Sequence, residues 1–301
     1  MPAAIGGDLH THTTASDGKL TPRELVRLAG EKGLSTIAVT DHDTVDGLEE
    51  ALGAASLYGV EVIPGIELST EWEGRDVHLL GYYIDFEGDR LRSFLLKRQE
   101  ARYTRCLKIV SRLQELGYPL TWDDVSAVVR GRAVGRLHIA QALVARGFVP
   151  SIEFAFSRLL ERGRPAYVPR HKLTPAEGVE IIRSCQGVAV LAHPGLIGED
   201  TIIRELAGRG LQGLEAYYPR HSRDETAGYL AMAEELGLLV TGGSDFHGSD
   251  VPEHAELGAV TVGEEVIEKL REQACNPGRG AKDPAGGVRT LGEGAEVTCG
   301  P

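Results

Sequence analysis

Short apolar runs alternate with capped helical segments along this chain, and the alternation breaks once; no other feature limits the fold as much. A first strand is expected to end at Leu9–His10. Thr21-Pro22-Arg23-Glu24 combines a Thr cap, a Pro at the first helical position and a Glu three residues on, so a helix starts there and Gly33 stops it. Ser35–Thr40 is a β-branched run, a helix follows over Gly47–Tyr58, and Val60–Leu68 and Val77–Ile84 read as the third and fourth strands. This spacing implies parallel strands joined by helices. Residues 89–162 carry no strand signal. Leu91, Phe94, Leu95, Ile109, Val110 and Leu113 recur near the helical period, Thr121–Asp124 reads as a cap, and short helices are expected over His138–Arg146 and Ile152–Leu160. Alternation resumes at the capping box Thr174-Pro175-Ala176-Glu177. Strands follow at Val188–Ala192, Gly213–Ala216, Leu238–Thr241 and Gly258–Val262, with helices over Asp200–Gly208, Ser222–Leu236 and Glu264–Gln273. The sum is about seven βα units. We expect an α/β barrel built from residues 1–88 and 163–275, with an all-helical insertion over residues 89–162. Residues 276–301 hold few apolar side chains and are expected to be disordered.

Charge and composition narrow the function classes. Acidic residues outnumber basic ones 44 to 32, for a net charge of −12 across 301 residues. So acidic a chain is not expected to hold long nucleic acid through phosphate contacts, although a small phosphorylated substrate suits it if positive charge is supplied locally. No apolar stretch approaches the ~18 residues a spanning helix needs, and no basic region followed by an apolar core marks a leader. The cysteines Cys106, Cys185, Cys275 and Cys299 lie far apart in no ligand pattern and read as reduced, cytoplasmic thiols. Nothing in the sequence names a protein partner.

The histidines and acids fall at particular places. His10 and His12 close the first strand at i and i+2, so on an extended chain their imidazoles point the same way. Asp17 follows in a polar loop, His42 follows the second strand, Glu67 ends the third, and His78 lies on the fourth. His193 follows Val188–Ala192, and Asp245 and His247, again at i and i+2, follow Leu238–Thr241. In a parallel barrel the C-terminal strand ends share one face, where active sites lie. One such histidine is more often structural than a ligand. Nine N and O donors in this order exceed the four to six that one ion takes, and they fit two or three divalent ions. Without a cysteine the site suits Mn²⁺, Fe or Zn²⁺.

The segments Asp8-Leu9-His10-Thr11-His12, Ser16-Asp17-Gly18, Thr40-Asp41-His42, Pro64-Gly65-Ile66-Glu67, Ala192-His193-Pro194 and Gly243-Ser244-Asp245-Phe246-His247 resemble the PHP (polymerase and histidinol phosphatase) family. The resemblance covers about residues 7–275. It implies a distorted (β/α)7 barrel with a trinuclear centre, Mn²⁺ being the expected ion. One ion would take His10, His12, Glu67 and Asp245, a second Glu67, His78 and His193, and a third Asp17, His42 and His247. Asp17 stands where some relatives have His. Gly135–Ala140, Gly163–Pro169 and Tyr217–Ser222 look like the subgroup that hydrolyses nucleoside 3′,5′-bisphosphates and trims short RNA from its 5′ end, with Leu137 where many relatives have Pro. The implied chemistry is attack by a metal-bridging hydroxide. The insertion is expected to cover the active site, with Arg136, His138 and His221 as substrate-binding residues and His221 also as a catalytic one. Asp8, Asp41 and Asp43 are candidates to orient ligand histidines, or simply to pin loops. The alternatives are a histidinol-phosphate phosphatase and a metal-stabilised binding module without turnover.

Overall fold

The computed structural model describes residues 5–129, 134–169, 173–249 and 255–276. Residues 277–301, nearly all of the expected tail, lie outside them. Two compact units emerge, one of Met1–Leu91 with Leu173–Pro301 and one of Arg92–Lys172.

The first unit is a seven-stranded sheet in sequential order. Its strands are β1 (Ile5–Thr11), β2 (Leu34–Val39), β3 (Glu61–Trp72), β4 (Arg75–Tyr82), β5 (Val188–Leu191), β6 (Gly213–Tyr217) and β7 (Leu239–Gly242). Phe246, just after β7, closes the sheet on β1. The His12 N–H donates to the Phe246 carbonyl at 2.9 Å, and the Phe246 N–H to the His10 carbonyl at 3.4 Å. The α/β barrel expected from the alternation is therefore present, in distorted form.

Two of the distortions correct the sequence reading. β4 is not a parallel strand: it runs antiparallel to both β3 and β5. Trp72 pairs with Arg75, so only Glu73 and Gly74 join β3 to β4, with φ of 49° and 85°. Two consecutive positive φ values make the tight hairpin turn, whereas a parallel crossover needs a dozen or more residues. Gly258–Val262 is not a strand either. Only Val262 pairs, exchanging both backbone hydrogen bonds with Gly7 at 2.8 Å.

Helices α1 (Pro22–Lys32), α2 (Leu48–Tyr58), α7 (Pro175–Ser184), α8 (Thr201–Ala207), α9 (Arg223–Leu236) and α10 (Glu264–Cys275) belong to the barrel unit. The capping boxes at Thr21, Thr174 and Ser222 form as their sequences require. Leu9, Ala38, Ile63, Leu80, Val190 and Ala192 pack one barrel core with Ile267 and Leu270 of α10. The second unit holds all but the first turn of α3 (Asp89–Glu115), then α4 (Trp122–Ser126), α5 (Arg136–Ala145) and α6 (Ile152–Ala155), which runs into a π turn over Phe156–Leu160. Its own core gathers Ile109, Leu113, Leu120, Ile139, Leu143 and Leu160. Removing one such side chain costs about 2–5 kcal/mol.

Candidate metal centre

The strand ends assemble around one carboxylate. Glu67, in the middle of β3, is buried, and its two oxygens meet five imidazoles. Oε2 lies 3.3 Å from His10 Nε2, 3.2 Å from His12 Nε2 and 3.0 Å from His42 Nδ1. Oε1 lies 2.9 Å from His78 Nδ1 and 3.1 Å from His193 Nε2. Asp245 Oδ1 adds a second meeting point, 3.3 Å from His10 Nε2 and 3.1 Å from His12 Nε2. Asp17 reaches His247 Nε2 at 3.3 Å and His42 Nε2 at 3.8 Å. The structure thus brings all nine residues singled out from the sequence into one cluster. Among the described residues three sets of mutually close donor atoms emerge: His10, His12, Glu67 and Asp245; His12, Asp17, His42 and His247; and His42, Glu67 and His78. The first matches an expected ligand set. The second adds His12 to an expected set, and in the third His42 stands where His193 was expected, His193 joining through Glu67 Oε1.

The donors fit divalent cations. His10 Nε2, both nitrogens of His12, His42 Nδ1, Glu67 Oε2 and His193 Nδ1 are buried without a hydrogen-bond partner. Buried polar atoms are normally satisfied. Two ligand atoms each about 2.1 Å from one ion and at right angles to it lie about 3.0 Å apart, close to the separations found here. Several donors also carry fixed orientations. His247 Nδ1 faces the Asp245 carbonyl at 2.8 Å, leaving Nε2 toward Asp17. His193 and Asp245 hold positive φ values of 27° and 55°, rare for non-glycine residues and tolerated where a site demands them.

The electrostatics follow from burial. Desolvation opposes the Glu67 charge, yet His42, His10 and His78 overcome it and hold the carboxyl well below its usual range. Burial likewise opposes a proton on His12, but Asp245 and Glu67 prevail and push it up to about 10. Burial brings His42 down to about 4. Below pH 10, then, the metal-free His12 keeps a proton that a cation must displace. Cation affinity should fall as pH falls, with roughly one or more protons released per chain on binding near pH 7. Titration calorimetry in two buffers of different ionisation enthalpy checks this, and a heat independent of the buffer would contradict it.

The other candidates occupy different settings. Asp8 accepts from Ser244 Oγ at 2.5 Å, Ser244 N at 2.8 Å and Gly258 N at 2.9 Å, and Asp41 accepts from Thr13 and Ser16 at 2.6–2.7 Å. Both pin loops through these bonds. Asp43 accepts from Ser69 N at 3.1 Å. His221 has both ring nitrogens engaged, Nε2 by Gly195 N at 3.1 Å and Nδ1 by the Ala216 carbonyl at 3.0 Å, which favours a brace over a proton donor. In the helical unit, His138 Nδ1 accepts from Gly135 N at 3.1 Å at the start of α5. Arg136 bonds the Leu160 carbonyl at 3.2 Å, with the Phe156 and Tyr167 rings 5.7 and 5.9 Å away. Arg136→Ala should therefore cost about 1–3 kcal/mol of stability. It should lower turnover of a bisphosphate and of an aryl phosphate by the same factor. A loss confined to the bisphosphate would instead support Arg136 as a substrate-binding residue.

Two residues of the centre escaped the sequence reading. Glu215 lies within β6, inside the apolar run Gly213-Leu214-Glu215-Ala216, and is buried. Tyr218 donates its hydroxyl to Asp245 Oδ2 at 3.0 Å. An acid isolated in a buried strand was the available signal for Glu215; Tyr218 lies within the segment Tyr217–Ser222, which resembled the subgroup but did not single it out.

Comparison with known proteins agrees with this geometry. Residues 8–138 match the family model of the PHP domain. The chain is 35% identical over 258 residues to a 5′-3′ exoribonuclease Rnm of Salmonella typhimurium, covering 81% of this chain and 86% of the relative. It is 32% identical over 246 residues to a 3′,5′-nucleoside bisphosphate phosphatase of Chromobacterium violaceum, covering 80% and 86%. A crystal structure described as a metal-dependent phosphoesterase from Bifidobacterium adolescentis superposes with a TM-score of 0.73 at 34% identity, covering 89% of this chain and 96% of that one.

Proposed function

This chain belongs to the PHP family, and from that premise we propose that it removes the 3′-phosphate of nucleoside 3′,5′-bisphosphates and trims short RNA from the 5′ end at a trinuclear manganese centre. That it is a metal-dependent hydrolase of phosphoric esters follows from the relatives and the fold; substrate, metal and ion count are the proposed part. The observation that carries the reading is the single carboxylate of Glu67 facing five imidazoles. A nucleotide substrate is supported by the activities named for both relatives.

In this reading His10, His12, Glu67 and Asp245 hold one ion, Asp17, His42 and His247 another, and Glu67 with His78 and His193 a third. Divalent cations bound there neutralise and polarise a phosphoryl group and lower the pKa of bound water. The protein's part is to aim the donors. The Tyr218 hydroxyl occupies Asp245 Oδ2 and so leaves Oδ1 to the two histidines of β1. All nine donors would be engaged in holding cations, so no covalent intermediate on the protein is invoked. The net charge of −12 disfavours long polyanions and leaves attraction to the site itself. We assign the chain to the cytoplasm, since the buried thiols Cys106 and Cys185 form no disulfide; no described helix is long and apolar enough to cross a membrane.

A turnover screen in Mn²⁺ tests the assignment, with adenosine 3′,5′-bisphosphate, AMP, histidinol phosphate and short 5′-phosphorylated RNA. The bisphosphate should give the highest kcat/KM, with AMP as product. A preference for histidinol phosphate would move the chain to the other phosphatase class.

A further inference from the structure

β6 contributes no member to the three donor sets, yet it touches two of the nine residues. The buried carboxylate of Glu215 spans them. Its Oε1 lies 3.0 Å from His10 Nδ1, and its Oε2 accepts the backbone N–H of His193 at 2.7 Å. One side chain thereby ties the end of β1 to the residue after β5. The second contact pins the backbone of His193 at its positive φ.

We propose that Glu215 is a positioning residue that fixes the tautomer of His10. A carboxylate can only accept. Facing Nδ1, it holds the ring proton there. When a cation displaces the second ring proton, the Nε2 lone pair is the one left, on the side of Glu67 Oε2 and Asp245 Oδ1, each 3.3 Å away. A neutral amide of the same shape cannot do both jobs. With its oxygen on the His193 N–H, its NH₂ faces His10 Nδ1 and donates to it. The ring proton is then driven to Nε2, the atom that must be bare to bind a cation. Glu215→Gln therefore keeps the volume and the His193 contact and inverts the His10 tautomer. Carboxylates behind ligand histidines affect metal affinity by about 10- to 100-fold.

The inference rests on the metal-centre reading, which metal uptake by the wild-type chain tests separately. If the wild type binds no Zn²⁺ or Mn²⁺, that reading fails. If it binds, the variant decides the role of Glu215. Titration calorimetry of the metal-free proteins should show E215Q binding Zn²⁺ and Mn²⁺ about 10- to 100-fold more weakly than wild type. The metal-free melting temperatures should agree within a few degrees, and excess Mn²⁺ should restore much of the lost turnover. Side-chain ¹⁵N NMR of the Zn²⁺-loaded wild type supplies a readout that needs no variant: His10 should carry its proton on Nδ1 and its metal on Nε2. Affinity within twofold of wild type in a folded E215Q protein would overturn the proposal. So would a His10 that binds Zn²⁺ through Nδ1, whatever the variant does.

Discussion

Glu67→Ala should strip the protein of most of its divalent metal and lower kcat/KM on phosphomonoesters roughly a thousandfold, about 4 kcal/mol of transition-state stabilisation. The magnitude follows from position. Each oxygen of Glu67 faces a different group of imidazoles, His10, His12 and His42 on one side and His78 and His193 on the other. Among the described histidines only His12 and His42 are likewise shared by two sets, and neither brings a negative charge. Losing Glu67 removes the shared donor of two sets and the negative charge that offsets cations packed close together. Its loss also leaves the imidazoles with less counter-charge: His78, whose protonated form burial opposes and Glu67 supports, should titrate lower in the variant. The melting temperature should fall as well, because the imidazoles that hold Glu67 ionised lose their buried counter-charge. Elemental analysis of protein dialysed against trace metal, alongside a melting curve, separates the two effects. Metal content equal to wild type would remove Glu67 from the hub.

How far the site was legible in the sequence depends on whether a residue's position follows from local pattern. His10 and His12 at i and i+2 and Glu67 at the end of an apolar run are spaced by the strands that position them, and strands are visible as runs; Asp245 and His247 lie beyond β7, Asp245 with φ 55°, and were legible only by following an apolar run. Capping boxes at Thr21, Thr174 and Ser222 were equally visible, because cap and partner lie three residues apart. The inverted direction of β4 was not, since alternation gives the order of strands and not their sense. Its signal was the two-residue link Glu73-Gly74, too short for any crossover. Glu215 and Tyr218 were hidden because their partners, His10 and Asp245, lie 205 and 27 residues away. Arg136 and His138 were singled out through the resemblance of Gly135–Ala140, and a carbonyl, two rings and a helix start in their own unit lie against them.

Gly243→Ala should lower stability by about 3 kcal/mol or more and the melting temperature by roughly 6–12 °C. A Cβ at this position would sit 2.4 Å from His10 N, 2.5 Å from His10 Cβ and 2.9 Å from His10 Cα. None of these atoms is the end of a flexible side chain, so the strain can be relieved only by separating β1 from the segment after β7. That segment closes the barrel through Phe246 and brings Asp245 and His247 to the metal face. It is also tied to β1 through Asp8, which accepts from both Ser244 N and Ser244 Oγ. Moving it apart stretches the Asp8 bonds and widens the gap between Asp245 Oδ1 and the two histidines. The variant should therefore lose metal affinity as well as stability, and should lose stability in the metal-free protein too. Gly53→Ala is the control. Gly53 lies within α2 with nothing near its missing Cβ, so alanine there should leave stability unchanged or raise it by up to about 1 kcal/mol. Melting curves of both variants with and without Mn²⁺ decide the matter. If G243A melts with wild type in both conditions, β1 is free to shift, and the metal face does not depend on that close approach.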